Sequence, residues 1–200
     1  ARVLGLLRAK GLKVPQVYSL FSAESNDFLA LEFIEGEDLG RTLARRRRRL
    51  SIKAALDLSV KLARIVSAIH DAGWVWRDCK PGNMIITRAR ELWPIDFEGA
   101  CQVARPDPLP WGTVPYVAPE ATAPFGGQSR LPEDLYAMGA VIYFLLTGHS
   151  ADASKPARLS TFRRKISPAL STLVMDLLHC DPQRRPSARS AAASLARLCG

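Results

Sequence analysis

The stretch that decides the fold runs from Trp74 to Asn83 and reads WVWRDCKPGN. Two shorter segments follow it, IDFEG at 95–99 and GTVPYVAPE at 112–120. All three segments crowd charged, amide and hydroxyl side chains together, and the packing of an apolar core does not require such side chains. We therefore take these segments as the candidates for chemistry.

The side chains in these segments match what phosphoryl transfer from ATP requires. The reaction needs a carboxylate that accepts the hydroxyl proton, oxygen ligands for magnesium, and a cation near the migrating phosphoryl group. Asp78 would be the carboxylate, Lys80 the cation, and Asn83 and Asp96 the metal ligands. A hairpin predicted between Asn83 and Asp96 would bring these two ligands back to the same place.

Five short motifs in this order and spacing resemble the protein kinase superfamily. The resemblance covers nearly the whole chain, and it includes the catalytic loop, the magnesium motif and the A-P-E motif of that family. Taken singly each motif is a weak signal, but five in register are a strong one. They are RDxKPxN at 77–83, DF at 96–97, APE at 118–120, EDLYAMG at 133–139 and DPxxRP at 181–186.

The resemblance implies an α+β, protein-kinase-like fold with a mostly helical C-terminal lobe and a truncated small lobe. Residues 1–34 would be a remnant of the N-terminal lobe that covers ATP, together with the hinge, and residues 35–200 the catalytic lobe. The implied activity is that of a bacterial-type serine/threonine protein kinase, with ATP and Mg²⁺ as cofactors and a protein or peptide as substrate. Because the 200 residues contain neither a glycine-rich phosphate loop nor the strand lysine that contacts the phosphates, we expect low activity from them alone.

The resemblance also assigns residues to the nucleotide. Backbone groups of Glu32 and Ile34 would meet the adenine, and Ile85 would lie beneath the ring. Asp38 matches the acidic position that contacts the ribose. Two of these residues have ordinary alternatives, since Asp38 could cap the following helix and Ile85 could simply belong to the core.

Two residues depart from the family pattern. Trp76 replaces the usual histidine or tyrosine, so its stacking on Phe97 could differ. Glu98 replaces the glycine of D-F-G, which restricts the backbone. We expect Glu98 to lie near the magnesium site, to pair with Arg77 or to face the solvent, and the pair with Arg77 is favoured because the loop offers Arg77 no phosphate. Elsewhere we expect Asp134, Glu120 and Arg185 to be structural residues, since buried charges need partners.

The long loop after the magnesium motif contains no Ser, Thr or Tyr between Glu98 and Gly112. No phosphate can therefore be attached there to order the loop. We expect prolines and a pairing of Asp107 with a basic residue to hold it, and we expect Thr113 to serve the active site.

Other functions remain open on the sequence. Antibiotic and choline kinases share a D-x-x-P-G-N loop and a D-F-E motif, although they generally lack counterparts of Thr113, the A-P-E motif and Arg185. The kinase-like domains of lanthionine synthetases also resemble the chain in the D-F-E variant. A non-catalytic pseudokinase or scaffold is a third alternative. The intact Asp78, Lys80, Asn83 and Asp96 argue against it for the parent protein, though not for these 200 residues alone.

Composition sets the remaining limits. The chain has 200 residues, of which 48% are hydrophobic and 24% charged, with a formal net charge of +9. These values are typical of a globular domain, and no apolar run is long enough to span a membrane. Four dispersed cysteines and three scattered histidines offer no zinc spacing, so a reduced cytoplasmic setting is expected. The arginine run 45–49 is interpreted as a solvated helix face, and no nucleic-acid partner is expected.

Hydrophobic periodicity and turn residues predict the elements of the chain. The predicted helices end at Gly11, run from the N-cap Ser51 to Gly73, and cover 132–147, 168–179 and 187–198. The predicted strands are Val14–Phe21 and Phe28–Ile34, joined by a turn at 22–27, and Met84–Thr87 and Leu92–Ile95, with Pro94 on an edge strand.

Overall fold

The computed structural model describes residues 1–45, 50–122, 130–153 and 155–199. Within these ranges no helix is long and apolar enough to cross a membrane. The helices are α1 (Arg2–Ala9), α2 (Leu39–Arg45), α3 (Ile52–Asp71), α4 (Leu131–Thr147), α5 (Leu159–Phe162), α6 (Pro168–Leu177) and α7 (Ala188–Cys199). The strands are β1 (Val17–Ala23), β2 (Asn26–Leu31), β3 (Gly36–Asp38), β4 (Trp74–Val75), β5 (Met84–Thr87), β6 (Leu92–Pro94) and β7 (Cys101–Gln102). The predicted α+β architecture is confirmed, whereas Arg46 to Arg49 of the arginine run lie outside the described residues.

Helix α4 is the centre of the helical body. Nearly every side chain along it is buried, polar and apolar alike, and it packs against α3 and α6. The close approach to α6 occurs at Gly139, where an added Cβ would lie 2.7 Å from the Cβ of Leu177. Helix α3 in turn packs on α7, so one continuous apolar core joins the two halves of the body.

Helix α3 has the ends that the sequence predicts. The Ser51 side chain accepts a hydrogen bond from the Ala54 N–H, which caps an otherwise unpaired donor of the first turn. The chain leaves the helix through Gly73, whose φ of +82° is accessible to glycine at little cost. The chain then enters β4, immediately before the candidate catalytic segment.

The described residues form three small antiparallel sheets, with orders β1-β2, β3-β5-β6 and β4-β7. Pro94 lies on the edge strand β6, as predicted, because it has no N–H for a further ladder. The predicted six-residue turn between β1 and β2 is wrong, since Ser22 and Ala23 pair across the hairpin and only Glu24 and Ser25 form the turn. The two-residue pair β4-β7 was not predicted.

Candidate active site

The Asp78 carboxylate is buried and held by three side chains. Its Oδ2 accepts hydrogen bonds from Lys80 Nζ at 2.7 Å and from Asn83 Nδ2 at 2.8 Å. Its Oδ1 accepts one from Thr113 Oγ1 at 2.8 Å, and Lys80 Nζ also lies 2.9 Å from that hydroxyl. The structure thus brings Asp78, Lys80 and Asn83 together as predicted, and Thr113 joins them from the C-terminal end of the long loop, also as expected.

The backbone before Asp78 is anchored to the first turn of α4. The carboxylate of Asp134, which is fully buried, accepts the N–H groups of Trp76 at 2.8 Å and of Arg77 at 2.7 Å. His70 Nε2 lies 2.9 Å from the same carboxylate. Arg77 has a φ of +69°, which is unusual for a side chain of this size, and the two hydrogen bonds from the segment to Asp134 hold it there. Asp134 is therefore a structural residue, as predicted.

The two predicted metal ligands lie at the end of the β5–β6 hairpin. The Ile95 N–H donates to the Asn83 carbonyl at 2.9 Å, so the hairpin returns the chain beside Asn83. Asn83 Nδ2 is directed at Asp78, and within the described part of the chain its Oδ1 accepts no hydrogen bond. Among the described residues, the carboxylate of the exposed Asp96 accepts only a long hydrogen bond of 3.4 Å, from the Glu98 N–H. The Asn83 Oδ1 atom and the Asp96 carboxylate are thus available as oxygen ligands at the end of the β5–β6 hairpin.

This donor set suits Mg²⁺ bound together with phosphates. Magnesium in such sites is held by one or two carboxylate or amide oxygens of the protein, and phosphates and water complete its octahedron. No group of three or more His, Cys, Asp or Glu side chains among the described residues could hold a metal ion by itself. Asn83 and Asp96 therefore fit a metal that arrives with a nucleotide.

Trp76 takes part in positioning the magnesium motif. Its buried ring stacks on Phe97 with centroids 5.6 Å apart, and its Nε1 donates to the Asp96 carbonyl at 3.0 Å. The stacking that the family pattern suggests therefore forms with tryptophan as well. The hydrogen bond fixes Asp96 in its left-handed conformation, at a φ of +58°.

Arg77 holds the long loop through its buried side chain. The guanidinium lies 3.5 Å from Asp107 Oδ2, and it donates to the carbonyl groups of Gly99, at 3.3 Å, and Leu109. The predicted pairing of Asp107 with a basic residue is confirmed. The predicted Arg77–Glu98 pair is wrong, because the guanidinium faces the loop at 107–109 while Glu98 is exposed and forms no ion pair with any described residue.

A second arginine reinforces the same loop. Arg130 donates to the carbonyl groups of Asp107 at 3.1 Å and Pro108 at 3.0 Å, and it pairs with Glu133. Burial raises the pKa of Glu133, and the Arg130 guanidinium opposes that effect. Arg130 was not among the predicted residues, since it lies outside every motif and its neighbours in sequence do not indicate its partners.

The predicted nucleotide residues lie in β3, in β5 and in the segment between β2 and β3. The Glu32 N–H is already committed to the Gln16 carbonyl, whereas the Ile34 backbone has no backbone partner among the described residues. The half-buried Ile85 lies in β5 between Asp38 and Trp93. Their contacts with adenine stay predictions.

Asp38 shows the capping alternative. Its Oδ1 accepts the Arg41 N–H at 2.8 Å, and its Oδ2 lies 3.1 Å from Arg41 Nε, so the carboxylate closes the first turn of α2. A contact with ribose would have to share this carboxylate, and it stays a prediction.

The A-P-E motif is tied to the end of the chain as predicted. Arg185, fully buried in its side chain, donates to both carboxylate oxygens of Glu120, with NH2 2.8 Å from Oε2. The same guanidinium donates to the Pro132 carbonyl at 2.8 Å and lies over the Tyr136 ring. One arginine therefore joins the A-P-E motif to the beginning of α4.

Cys79 and Cys101 are the cysteines near the site. Both are buried, and burial raises the pKa of each thiol. They act as small apolar residues of the core, as predicted.

Comparison with known proteins gives the same assignment over nearly the whole chain. The family model of the protein kinase domain matches residues 5–195. The chain is 34% identical over 173 residues to "Serine/threonine-protein kinases drp72" of Corynebacterium efficiens, which covers 79% of this chain and 32% of that protein. It is 34% identical over 126 residues to "Serine/threonine-protein kinase PknA" of Mycobacterium tuberculosis, which covers 60% of this chain and 28% of that protein.

A mouse protein, "Serine/threonine-protein kinase DCLK3", is 29% identical over 195 residues, which cover 88% of this chain and 24% of that protein. The chain thus spans about a third or less of the length of these relatives. The family match agrees with the arrangement around Asp78 and with the Glu120–Arg185 pair. The chain belongs to the protein kinase domain family.

Proposed function

We propose that this chain carries out ATP-dependent transfer of phosphate to serine or threonine hydroxyls of a protein or peptide. The observation that supports this most directly is the Asp78 carboxylate, which is oriented by donors from Lys80, Asn83 and Thr113. The relatives named above are serine/threonine-protein kinases by name, and they extend well beyond the length of this chain.

Asp78 is the proposed acceptor of the hydroxyl proton. Its orientation is fixed before substrate arrives, so little conformational freedom is lost when a hydroxyl approaches. The Lys80 ammonium lies 2.7 Å from the carboxylate and supplies positive charge where negative charge develops on the migrating group. Thr113 is hydrogen-bonded to both groups and fixes their relative position, which makes it a positioning residue.

The nucleotide and metal complete the proposal. Mg-ATP, when bound, supplies the phosphoryl group and neutralises part of its charge. Asn83 and Asp96 would hold the metal, whereas backbone groups of Glu32 and Ile34 together with Ile85 would hold the adenine. We also propose that residues 1–34 belong to the lobe that covers ATP and residues 35–200 to the catalytic lobe.

Two contacts favour a protein or peptide substrate over a small molecule. The sequence already distinguishes the chain from small-molecule phosphotransferases by Thr113, Glu120 and Arg185. In the structure Thr113 contacts Asp78 directly, and the Glu120–Arg185 pair fixes the segment that follows Thr113. The segment from Thr113 to Glu120 is thus held to Asp78 at one end and to Arg185 at the other, and we propose that an extended peptide lies along it.

The test is Asp78→Asn in the complete natural protein, with radiolabelled ATP and serine- and threonine-containing peptides. We expect transfer to fall about 10³-fold, since the amide keeps the shape of the side chain but cannot accept the proton. Asp57→Asn, a change in an exposed carboxylate of α3 paired with Lys61, is the matched control and should leave transfer unchanged. Transfer by Asp78→Asn at the rate of the unmodified protein would refute the proposal.

A further inference from the structure

The Trp111 indole lies directly on the backbone of Gly99, at the end of the magnesium loop (residues 96–99). A Cβ added at Gly99 would lie 2.0 Å from Trp111 Nε1 and 2.3 Å from Cδ1, so the ring occupies the space of a side chain at position 99. Resting on the proposed function, we propose that Trp111 is a positioning residue for Asp96. Its ring holds the magnesium loop in the conformation that presents the Asp96 carboxylate to the metal.

Space, and not backbone conformation, is what requires glycine at position 99. The φ of Gly99 lies outside the left-handed region, in contrast to the φ of Gly112, which is +128°. Residues with a side chain can therefore adopt the φ of Gly99, but their Cβ would overlap the indole. Gly99 and Trp111 are thus a complementary pair in which one ring fills the place of the missing side chain.

The magnesium loop is anchored at both ends. At the first residue, Trp76 Nε1 donates to the Asp96 carbonyl at 3.0 Å. At the last residue, Arg77 donates to the Gly99 carbonyl at 3.3 Å, and the Trp111 ring packs on the same glycine. Because the hydrogen bond from Arg77 is long, contact with the indole is needed to hold this end of the loop.

Trp111 is itself held on both sides along the chain. Two residues before it, the Leu109 carbonyl accepts a hydrogen bond from Arg77, and two residues after it, the Thr113 hydroxyl donates to Asp78 at 2.8 Å. Trp111 is 38% exposed, so most of its surface is buried. The ring is therefore a fixed support that extends from the catalytic segment to the magnesium loop.

Asp96 depends on this support because its carboxylate has little of its own. Of the residues that the structure describes, only Glu98 donates a hydrogen bond to that carboxylate, from its N–H at 3.4 Å. This N–H belongs to the magnesium loop, so the orientation of the carboxylate follows the loop backbone. Asp78, by contrast, is held by three side chains outside the loop. Loss of the indole should therefore weaken the metal site and spare Asp78.

The experiment measures ADP binding to the complete natural protein by calorimetry, with and without Mg²⁺. In Trp111→Ala the gain in ADP affinity from Mg²⁺ should fall about tenfold, the size expected when a residue behind a metal ligand is lost, while metal-free binding stays within about twofold. Trp111→Ala/Gly99→Leu fills the same space from position 99 and should recover most of the gain. Leu109→Ala changes an exposed side chain of the same segment and, as the matched control, should keep the gain.

Hydrogen exchange without nucleotide tests the loop itself. The amides at 97–100 should exchange about tenfold faster in Trp111→Ala, and the double variant should return toward the rate of the unmodified protein. Gly99→Leu alone should resemble Trp111→Ala, since its side chain displaces the indole. Melting curves of all variants show that the changes do not come from global unfolding.

Three results would overturn the inference: a full Mg²⁺ gain in Trp111→Ala, an equal loss of ADP affinity with and without Mg²⁺, or a double variant no better than Trp111→Ala. In a protein that phosphorylates peptides, each of these would leave the proposed function standing. The expected Mg²⁺ effect in a complete protein that never transfers phosphate to serine or threonine would support the role of Trp111 and overturn the proposed function.

Discussion

Asp107→Asn should loosen the long loop without any phosphate being involved. Asp107 Oδ2 lies 3.5 Å from NH1 of Arg77, whose side chain is fully buried, while the Asp107 side chain is 42% exposed. The asparagine keeps the Oδ1 acceptor that bonds the Leu109 N–H at 2.9 Å, so the substitution removes the charge and little else. The Gly99 and Leu109 carbonyl groups still accept from Arg77, which leaves the guanidinium partly satisfied.

The size of the effect follows from this partial burial. Exposed pairs contribute at most about 1 kcal/mol and breaking a buried pair costs about 3–5 kcal/mol, so a half-exposed pair with remaining acceptors should cost about 1–2 kcal/mol. That free energy corresponds to a roughly 5- to 30-fold larger equilibrium constant for local opening of the loop. Salt should reduce the difference, since solvent reaches the Asp107 side of the pair.

Hydrogen exchange of the amides at 101–111 measures this opening directly, with Asp176→Asn on the exposed face of α6 as the control. Activity of the complete protein should also be unchanged by phosphatase treatment, because no hydroxyl residue lies between Glu98 and Gly112. Exchange in Asp107→Asn equal to that of the unmodified chain would show that the prolines and Arg130 hold the loop alone. Activity that depends on a phosphate mapped to Thr113 would refute the reasoning altogether.

Thr113→Val should lower kcat by about 10- to 100-fold with little change in thermal stability, because it removes the hydroxyl that donates to Asp78 and accepts from Lys80. Thr113→Ser, which keeps the hydroxyl, should retain most of the activity. Glu120→Gln should lower Tm by about 4–8 °C, since Arg185 would stay buried without its counter-charge, which costs about 2 kcal/mol of unfolding free energy. An unchanged Tm would contradict the structural role of the pair. In the native chain at pH 8 the buried Cys79, whose raised pKa keeps the thiol protonated, should resist alkylation while the exposed Cys180 reacts. Equal labelling of the two thiols in a mass-spectrometric time course would contradict the assignment of Cys79 as a buried core residue.

The sequence predicted the part of the site that is local along the chain. Asp78, Lys80 and Asn83 lie within six positions, and the predicted hairpin places Asp96 beside them because its strands have clear apolar patterns and turn residues. The long helices were also predicted, since their buried faces repeat with helical spacing. Boundaries shifted mainly at the first hairpin, where pairing extends both strands toward the turn while their other ends lie inside the predicted bounds Val14 and Ile34.

The remainder depends on contacts between distant segments. Strands β4 and β7 have two residues each, too few for any periodic pattern, and Arg130 meets Asp107 only after the chain folds. The expected Arg77–Glu98 pair was wrong for the same reason, because the sequence does not show that the Arg77 guanidinium points at the Gly99 and Leu109 carbonyl groups. Asp38 was a choice between two roles, and the local helix cap is the one that the structure shows.

The anchoring of the Trp76 and Arg77 N–H groups on Asp134 couples the catalytic segment to the deepest helix of the molecule. Local opening of that segment would remove the two N–H donors from the fully buried Asp134 carboxylate. Opening the segment while α4 stays packed therefore has a high free-energy cost. The reacting groups and the core therefore form one cooperative unit. Heat should abolish phosphate transfer and the native fold in a single transition, and the most slowly exchanging amides of the protein should include those of Trp76 and Arg77.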